Sequence, residues 1–185
     1  MEELRKDFAE SGFIVVADAL PIDACELIVR RMFDLNVRGK LSVDSQCPLS
    51  LSAYNDFTFV GVLEKLRPFI SNATGKKLLP SYAYARIYRT GERLLPHVDR
   101  PACEISVTIT LGYRANDVWP ISFRKDKNIS IPINVGSMIV YKGCEVTHWR
   151  DVFQGEWHVQ LFLHYVDADG PHKDHAYDLL GKGGK

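Results

Sequence analysis

Residues 97–113 of the chain read HVDRPACEISVTITLGY. From Ile105 to Leu111, apolar and polar residues alternate, which is typical of a β-strand with one buried face. Just before this strand, His97 and Asp99 stand two positions apart. Residues two apart in an extended chain point to the same side, so an imidazole nitrogen and a carboxylate oxygen can meet at one point. A strand does not need such a pair, but the pair suits a metal ion.

Further segments after residue 80 also have β-strand character, because they are short, rich in β-branched and aromatic residues, and separated by turn residues. They are SYAYARIYR (81–89), WPISFR (119–124), NISIPI (128–133), GSMIVYKG (136–143) and WHVQLFLHYV (157–166). This pattern predicts an antiparallel sandwich or barrel.

The N-terminal part of the chain has a mostly helical pattern. Residues 2–10 predict a short charged helix, and a strand is predicted at FIVVADAL (13–20). The spacing of apolar residues predicts one helix after Pro21 and another at 58–73, with Pro68 as a kink or break.

The order of these elements predicts an α+β fold with a double-stranded β-helix (jelly-roll) core. We expect a single domain over residues 1–185. Within it, residues 1–75 are mostly helical support with the helices packed on one sheet, 76–170 form the core, and 171–185 are a polar tail. The polar segment 36–57 is predicted to be a loop or lid.

Composition limits the classes of function. Lys plus Arg and Asp plus Glu number 23 each, and no dense basic run occurs, so nucleic-acid binding is not expected. The N-terminal sequence lacks the apolar core of a secretory signal, and no apolar stretch approaches transmembrane length. We therefore expect a cytoplasmic protein without membrane association, whose cysteines are reduced thiols.

A third ligand for a metal at His97 and Asp99 should come from a distant strand. His148 is the best candidate, since it follows the strand-like segment 136–143 and stands at a turn in CEVTHW (144–149). Two histidines and one carboxylate that leave open positions are the ligand set of non-haem Fe(II) oxygenases. Zinc accepts the same ligands and can serve hydrolysis, so the identity of the metal stays open at this point.

Three segments resemble parts of the Fe(II)- and 2-oxoglutarate-dependent oxygenases, in their prolyl-hydroxylase-like branch. Residues 12–28 are similar to the N-terminal strand and helix of that family, residues 84–100 to its strand, turn and HxD segment, and residues 136–170 to its distal histidine and closing strand. The resemblance covers nearly the whole chain. It implies that His97, Asp99 and His148 bind Fe(II), with 2-oxoglutarate as co-substrate and O₂ as oxidant.

One position departs from the family pattern. On the closing strand, the family holds the far carboxylate of 2-oxoglutarate with Arg or Lys, where this chain has His158. A histidine is charged only when protonated and lacks the fork of a guanidinium. Arg150 and Arg86 are the other candidate cations. Tyr88 matches a family position whose hydroxyl points to the co-substrate, and Thr108 is a candidate polar group on the next strand.

The activity that the resemblance implies is hydroxylation of an unactivated C–H bond, of a peptidyl proline or another protein side chain. Two alternatives remain open: an oxygenase acting on a free amino acid or small metabolite, and a non-catalytic jelly-roll binding module that retains the metal site. An open groove across the metal face favours a peptide, and a closed pocket favours a metabolite. His164 is expected to lie beside the site or in the core rather than to bind the metal.

Overall fold

The structure is a computed structural model that describes residues 1–178, so the predicted polar tail (171–185) lies only partly within the described residues. The elements, in chain order, are α1 (Glu2–Ser11), β1 (Phe13–Val16), α2 (Ile22–Val37), β2 (Leu51–Tyr54), α3 (Phe57–Thr74), β3 (Leu78–Arg89), β4 (Leu94–His97), β5 (Ile105–Arg114), β6 (Ile121–Arg124), β7 (Asn128–Ile131), β8 (Met138–Lys142), β9 (Thr147–Arg150) and β10 (Trp157–Asp167). Short 3₁₀ turns lie at Pro101–Cys103 and Lys173–His175. The fold is α+β, as predicted.

The strands form two antiparallel sheets. The larger sheet has the order β1-β8-β5-β10-β3-β2, and the smaller sheet has the order β4-β9-β6-β7. Aromatic contacts join the facing sides: the ring centroid of Phe123 lies 4.9 Å from that of Phe13 and 5.4 Å from that of Tyr141. The predicted jelly-roll core is therefore present, and its interior lies between the two sheets.

The two faces of the larger sheet differ in chemistry, as the alternation along its strands requires. The outer face is apolar and belongs to the main hydrophobic cluster; its central members are Ala83, Ala85, Ile87, Val107, Ile109, Leu111, Val159, Leu161 and Leu163. The inner face carries buried polar and aromatic groups, among them Tyr88, Arg86, Ser106, Thr108, Thr110, His158, Gln160 and His164. Burial of this many polar groups on one face indicates a functional interior rather than a simple core.

The helices cover the outer face of the larger sheet. Buried side chains of α2 and α3, such as Met32 and Leu63, join the same hydrophobic cluster as the strands. Each such side chain contributes about 1.5–3 kcal/mol when it leaves water. The Tyr165 hydroxyl on β10 donates to the Leu63 carbonyl at 2.7 Å, which fixes α3 against the sheet. The helices thus cover one face of the larger sheet, and its other face lines the interior between the two sheets.

Three local predictions differ from the structure. Helix α3 continues through Pro68, so this proline does not break the helix. Part of the predicted loop at 36–57 is strand β2, which pairs with β3 at the sheet edge. His148 lies within strand β9 rather than in a turn, because β9 pairs with β4 and β6. Over the described residues, no helix is both long and apolar enough to cross a membrane.

Candidate functional site

His97, Asp99 and His148 come together at the inner side of the smaller sheet. His97 ends β4 and pairs directly with His148 on β9. The Nε2 atoms of His97 and His148 lie 3.5 and 3.6 Å from the same oxygen of Asp99, Oδ1. One ligand atom from each of the three residues lies within 4.8 Å of the others, the spacing of a set that can hold a metal ion. The predicted triad is thus assembled by the fold.

Backbone contacts fix the orientation of both histidine rings. Nδ1 of His97 lies 2.8 Å from the Leu95 carbonyl, and Nδ1 of His148 lies 3.0 Å from the Val146 carbonyl. A carbonyl can only accept, so each Nδ1 carries a hydrogen, and each Nε2 is the nitrogen left to bind a cation. A cation between the two Nε2 atoms and the carboxylate oxygen makes these close contacts favourable. The donor set therefore fits a divalent metal.

The arm that carries Asp99 is clamped by its neighbours. The Asp99 backbone N–H donates to the Gly143 carbonyl at 2.8 Å, and the Ser106 hydroxyl donates to Asp99 Oδ2 at 2.7 Å. A Cβ on Gly143 would lie 2.6 Å from that carboxylate, so only glycine fits there. Burial alone would raise the pKa of Asp99, but contacts with His148 and His97 hold it well below the usual range. Asp99 is therefore ionised.

Arg150 lies deeper between the sheets, two residues beyond His148 on the same face of β9. Its side chain is 1% exposed, and one guanidinium nitrogen donates to the Trp119 carbonyl at 2.6 Å. The other terminal nitrogen, Nη2, has no hydrogen-bond partner, and no carboxylate within residues 1–178 forms an ion pair with this arginine. Burial lowers the pKa of Arg150 to about 10. A buried cation without an anion is costly, so this pocket suits an anionic ligand.

His158 lies on the facing strand and is fully buried. Its Nε2 lies 2.6 Å from Gln160 Oε1, while Gln160 Nε2 donates to the Thr108 hydroxyl at 2.7 Å. Since an amide oxygen only accepts, His158 Nε2 carries the hydrogen and its unpartnered Nδ1 is an acceptor. Burial and the charge of Arg150 lower the pKa of His158 to about 3, so the ring is neutral at physiological pH.

Tyr88 connects this pocket to the predicted lid. The edge of its ring packs against Trp119 at 4.9 Å, and its hydroxyl accepts a hydrogen bond from Arg86 at 3.2 Å. Arg86 also forms an ion pair with Asp44 at 2.5 Å. A second contact fastens the same segment, because Glu92 accepts from the Leu49 backbone N–H at 2.7 Å. Part of the predicted lid is therefore fastened over the interior.

A cleft of about 260 Å³ opens beside the metal triad. His97 and Asp99 form part of its wall, and Gln46 of the lid segment, Tyr54, Tyr82, Tyr84 and His164 form much of the rest. The tyrosines and His164 stand in close ring contact, with centroids 4.8 Å apart for Tyr54 and Tyr84 and 4.5 Å apart for Tyr82 and His164. Its position next to the triad suits a substrate.

The fold brings together the residues singled out in the sequence, in two groups: His97, Asp99 and His148 at the triad, and Tyr88, Arg150, His158 and Thr108 in the deeper pocket. Arg86, the other candidate cation, is instead engaged by Asp44. Sequence reasoning missed Ser106, Gly143 and the pairing of Asp44 with Arg86. Only the glycine had a local signal, its place at the end of the strand-like GSMIVYKG.

Comparison with solved structures places this architecture among known folds. A prolyl-4-hydroxylase from Pseudomonas putida superposes with a TM-score of 0.71 at 16% identity, over 89% of this chain and 97% of that one. The α-ketoglutarate-dependent epimerase SnoN from nogalamycin biosynthesis gives 0.78 at 11% identity, over 90% and 82%. A Trichoplax adhaerens prolyl hydroxylase, in complex with a peptide fragment of hypoxia-inducible factor, gives 0.73 at 13% identity, over 90% and 88%. No family model matches the chain, and no curated protein matches it in sequence. The chain has the fold of the 2-oxoglutarate-dependent oxygenases.

Proposed function

We propose that the protein is an Fe(II)- and 2-oxoglutarate-dependent oxygenase that hydroxylates an unactivated C–H bond. The observation that carries this proposal is that one interior holds both a candidate metal triad and a buried cation without an anion among the described residues. His148 of the triad and Arg150, a buried guanidinium without an anion among residues 1–178, lie on the same strand, β9. A dianion that both chelates a metal and extends a second carboxylate satisfies both.

We assign the residues as follows. His97, Asp99 and His148 would hold the iron. Arg150 anchors the far carboxylate of 2-oxoglutarate, and the Tyr88 hydroxyl, which already accepts from Arg86, donates to the same carboxylate. Bound iron with 2-oxoglutarate supplies oxidation of the C–H bond by O₂, with conversion of the co-substrate to succinate and CO₂.

Arg150 is the better candidate anchor than His158 for an electrostatic reason. His158 has a pKa of about 3 and presents a lone pair from Nδ1, which repels a carboxylate. Arg150 keeps its charge at a pKa of about 10 and has an unused N–H donor. We therefore propose that the cation that binds the far carboxylate is supplied by β9 in this protein rather than by the closing strand. In this arrangement, Gln160 and Thr108 hold His158 in place as part of the pocket wall.

The chain's own residues also shield the reaction from water. Trp119 and Phe153, whose ring centroids lie 4.9 Å apart, both pack against the ring of His158. The lid segment is fastened to the sheet by the ion pair of Asp44 with Arg86. A fastened lid over a cleft of about 260 Å³, below the usual range for small-molecule sites, favours a free amino acid or small metabolite over a long peptide.

The test is production of succinate from 2-oxoglutarate by the iron-loaded protein, with and without O₂. We expect succinate that requires both O₂ and Fe(II) and that disappears in His97→Ala. The matched control is His175→Ala, which removes an exposed histidine of the C-terminal segment and should leave turnover unchanged. Succinate formation that persists without O₂, or turnover of the zinc-loaded protein by hydrolysis, would contradict the proposal.

A further inference from the structure

His164 lies beside the proposed iron site, but the mechanism above does not use it. It is on the inner face of β10, its side chain is 3% exposed, and it forms part of the wall of the cleft that contains His97 and Asp99. Its Nε2 has no hydrogen-bond partner among residues 1–178. A buried polar atom without a partner is rare in a folded protein and calls for an explanation.

A hydrogen-bonded chain fixes which nitrogen of His164 carries the hydrogen. The Ser106 hydroxyl has one hydrogen, and Asp99 Oδ2 at 2.7 Å is a closer acceptor for it than the Cys103 carbonyl at 3.2 Å. Nδ1 of His164 lies 3.0 Å from the same hydroxyl oxygen, which must therefore accept from it. His164 is then the Nδ1–H tautomer, and its Nε2 is a buried lone pair on a ring that lines the cleft.

The neighbouring rings hold this lone pair in a fixed direction. The centroid of the His164 ring lies 4.5 Å from that of Tyr82 and 5.7 Å from that of Tyr84. Through Ser106, the same ring is linked to the carboxylate that binds the metal. A ligand atom that donates to Nε2 would consequently lie at a defined distance from the carboxylate of Asp99.

We propose that His164 Nε2 is the substrate-recognition atom of the cleft, and that the substrate presents an N–H or O–H donor next to the carbon that is oxidised. This inference rests on the proposed function, because it takes the cleft to be the substrate site. It also defines a substrate class. A prolyl ring within a peptide has no N–H or O–H, so the substrate is a donor-bearing polar molecule rather than a prolyl residue.

A second metal at this nitrogen fits the surroundings less well. A ring nitrogen of His164, Cys103 Sγ and an oxygen of Asp99 do lie within 4.8 Å of one another. The Cys103 sulfur is, however, already engaged by the Tyr82 hydroxyl at 3.0 Å, and Asp99 Oδ2 is engaged by Ser106. A hydrogen-bond donor needs only the free lone pair and leaves these contacts intact.

Two substitutions separate recognition from structure. His164→Gln places an amide oxygen near the position of Nε2 and keeps an acceptor in the cleft. His164→Asn places its amide near Nδ1, keeps a group beside Ser106 and removes the acceptor from the cleft. The probes are the protein-forming L-amino acids as free compounds and N-acetyl-L-proline dimethylamide, which has no N–H or O–H donor. Binding is measured anaerobically from the perturbation of the Fe(II)–2-oxoglutarate charge-transfer band.

We expect a donor-bearing amino acid to bind the wild type and His164→Gln with similar affinity and to bind His164→Asn about tenfold to a hundredfold more weakly. The donor-free prolyl probe should bind no variant better than another. Equal affinities of a donor-bearing probe for the Gln and Asn variants would overturn the proposal, as would binding of the prolyl probe that depends on His164.

A measurement without metal keeps this inference separate from the proposed function. Nitrogen-15 NMR of the histidine rings in the metal-free protein should show His164 protonated at Nδ1 and bare at Nε2. If Nε2 carries the hydrogen, the recognition role is wrong whatever the metal does. If the charge-transfer band is absent in the wild type while the tautomer is as stated, the oxygenase proposal fails and the acceptor in the cleft stands.

Discussion

Replacing Arg150 by Met should move stability and co-substrate binding in opposite directions. The lowering of the Arg150 pKa from 12.5 to about 10 corresponds to about 3 kcal/mol by which folding disfavours the charged form. Methionine removes that penalty and fills similar space. It also leaves the Trp119 carbonyl without its donor, which costs about 1–2 kcal/mol.

The net expectation for Arg150→Met without ligand is a gain of about 1–2 kcal/mol, or a rise in Tm of roughly 2–8 °C. The variant should bind 2-oxoglutarate about 2–4 kcal/mol more weakly, roughly 30- to 700-fold, since the far carboxylate would be buried without a counter-ion and with only the Tyr88 hydroxyl as a partner. Arg150→Lys is the matched control, because it keeps the charge and loses only the fork. It should have an intermediate affinity.

Thermal unfolding of the metal-free proteins and titration of the iron-loaded proteins with 2-oxoglutarate measure the two effects. Wild-type affinity in Arg150→Met would show that the anchor lies elsewhere. A lower Tm for the metal-free variant would show that an anion within the protein already balances this guanidinium, which contradicts the reasoning from its unpartnered nitrogen.

Three further predictions concern the pH dependence of stability, the pH dependence of 2-oxoglutarate affinity, and the predicted loop or lid. Burial holds the His158 pKa near 3, so below pH 6.5 the unfolded chain binds a proton there that the folded protein does not. The free energy of unfolding should therefore fall as pH drops from about 6.5 to 3. His158→Gln should reduce this pH dependence by about one proton, as measured by urea unfolding. The same low pKa predicts that His158 adds no pH dependence to 2-oxoglutarate affinity between pH 6 and 8, and a rise in affinity on protonation in that range would contradict its neutral role. Asp44→Asn should destabilise the protein by about 1–3 kcal/mol, since it leaves Arg86 buried without its counter-ion. Hydrogen exchange should also become faster at residues 40–50 of the predicted loop or lid. Unchanged exchange there would show that this ion pair does not hold the segment in place.

The fold was largely predictable because its signals are local. Alternation along ISVTITL and WHVQLFLHYV places one side of each strand against helices and the other inside the core, and the structure has both arrangements. The short strands β4 (LLPH) and β9 (THWR) were missed because neither shows a clear alternation of apolar and polar residues. Their pairing, which brings His97 beside His148, depends on contacts between distant segments.

The candidate site was also only partly predictable, because some of its features are local in sequence and others depend on packing. The spacing of His97 and Asp99 was visible, because two residues apart on an extended chain is a local relation. The unpartnered nitrogen of Arg150 and the hydrogen-bonded chain from Asp99 through Ser106 to His164 were not visible. These features depend on which atoms remain without partners after packing, and no single stretch of sequence carries that information.

The most direct test of the account is an anaerobic titration of the metal-free protein, first with Fe(II) and then with 2-oxoglutarate, followed by visible absorption. The account predicts a charge-transfer band of the chelated complex that is absent in His97→Ala and that needs far more 2-oxoglutarate in Arg150→Met. If iron binds the wild-type triad but no band follows the addition of 2-oxoglutarate, the interior does not take this co-substrate and the assignment as an oxygenase is wrong.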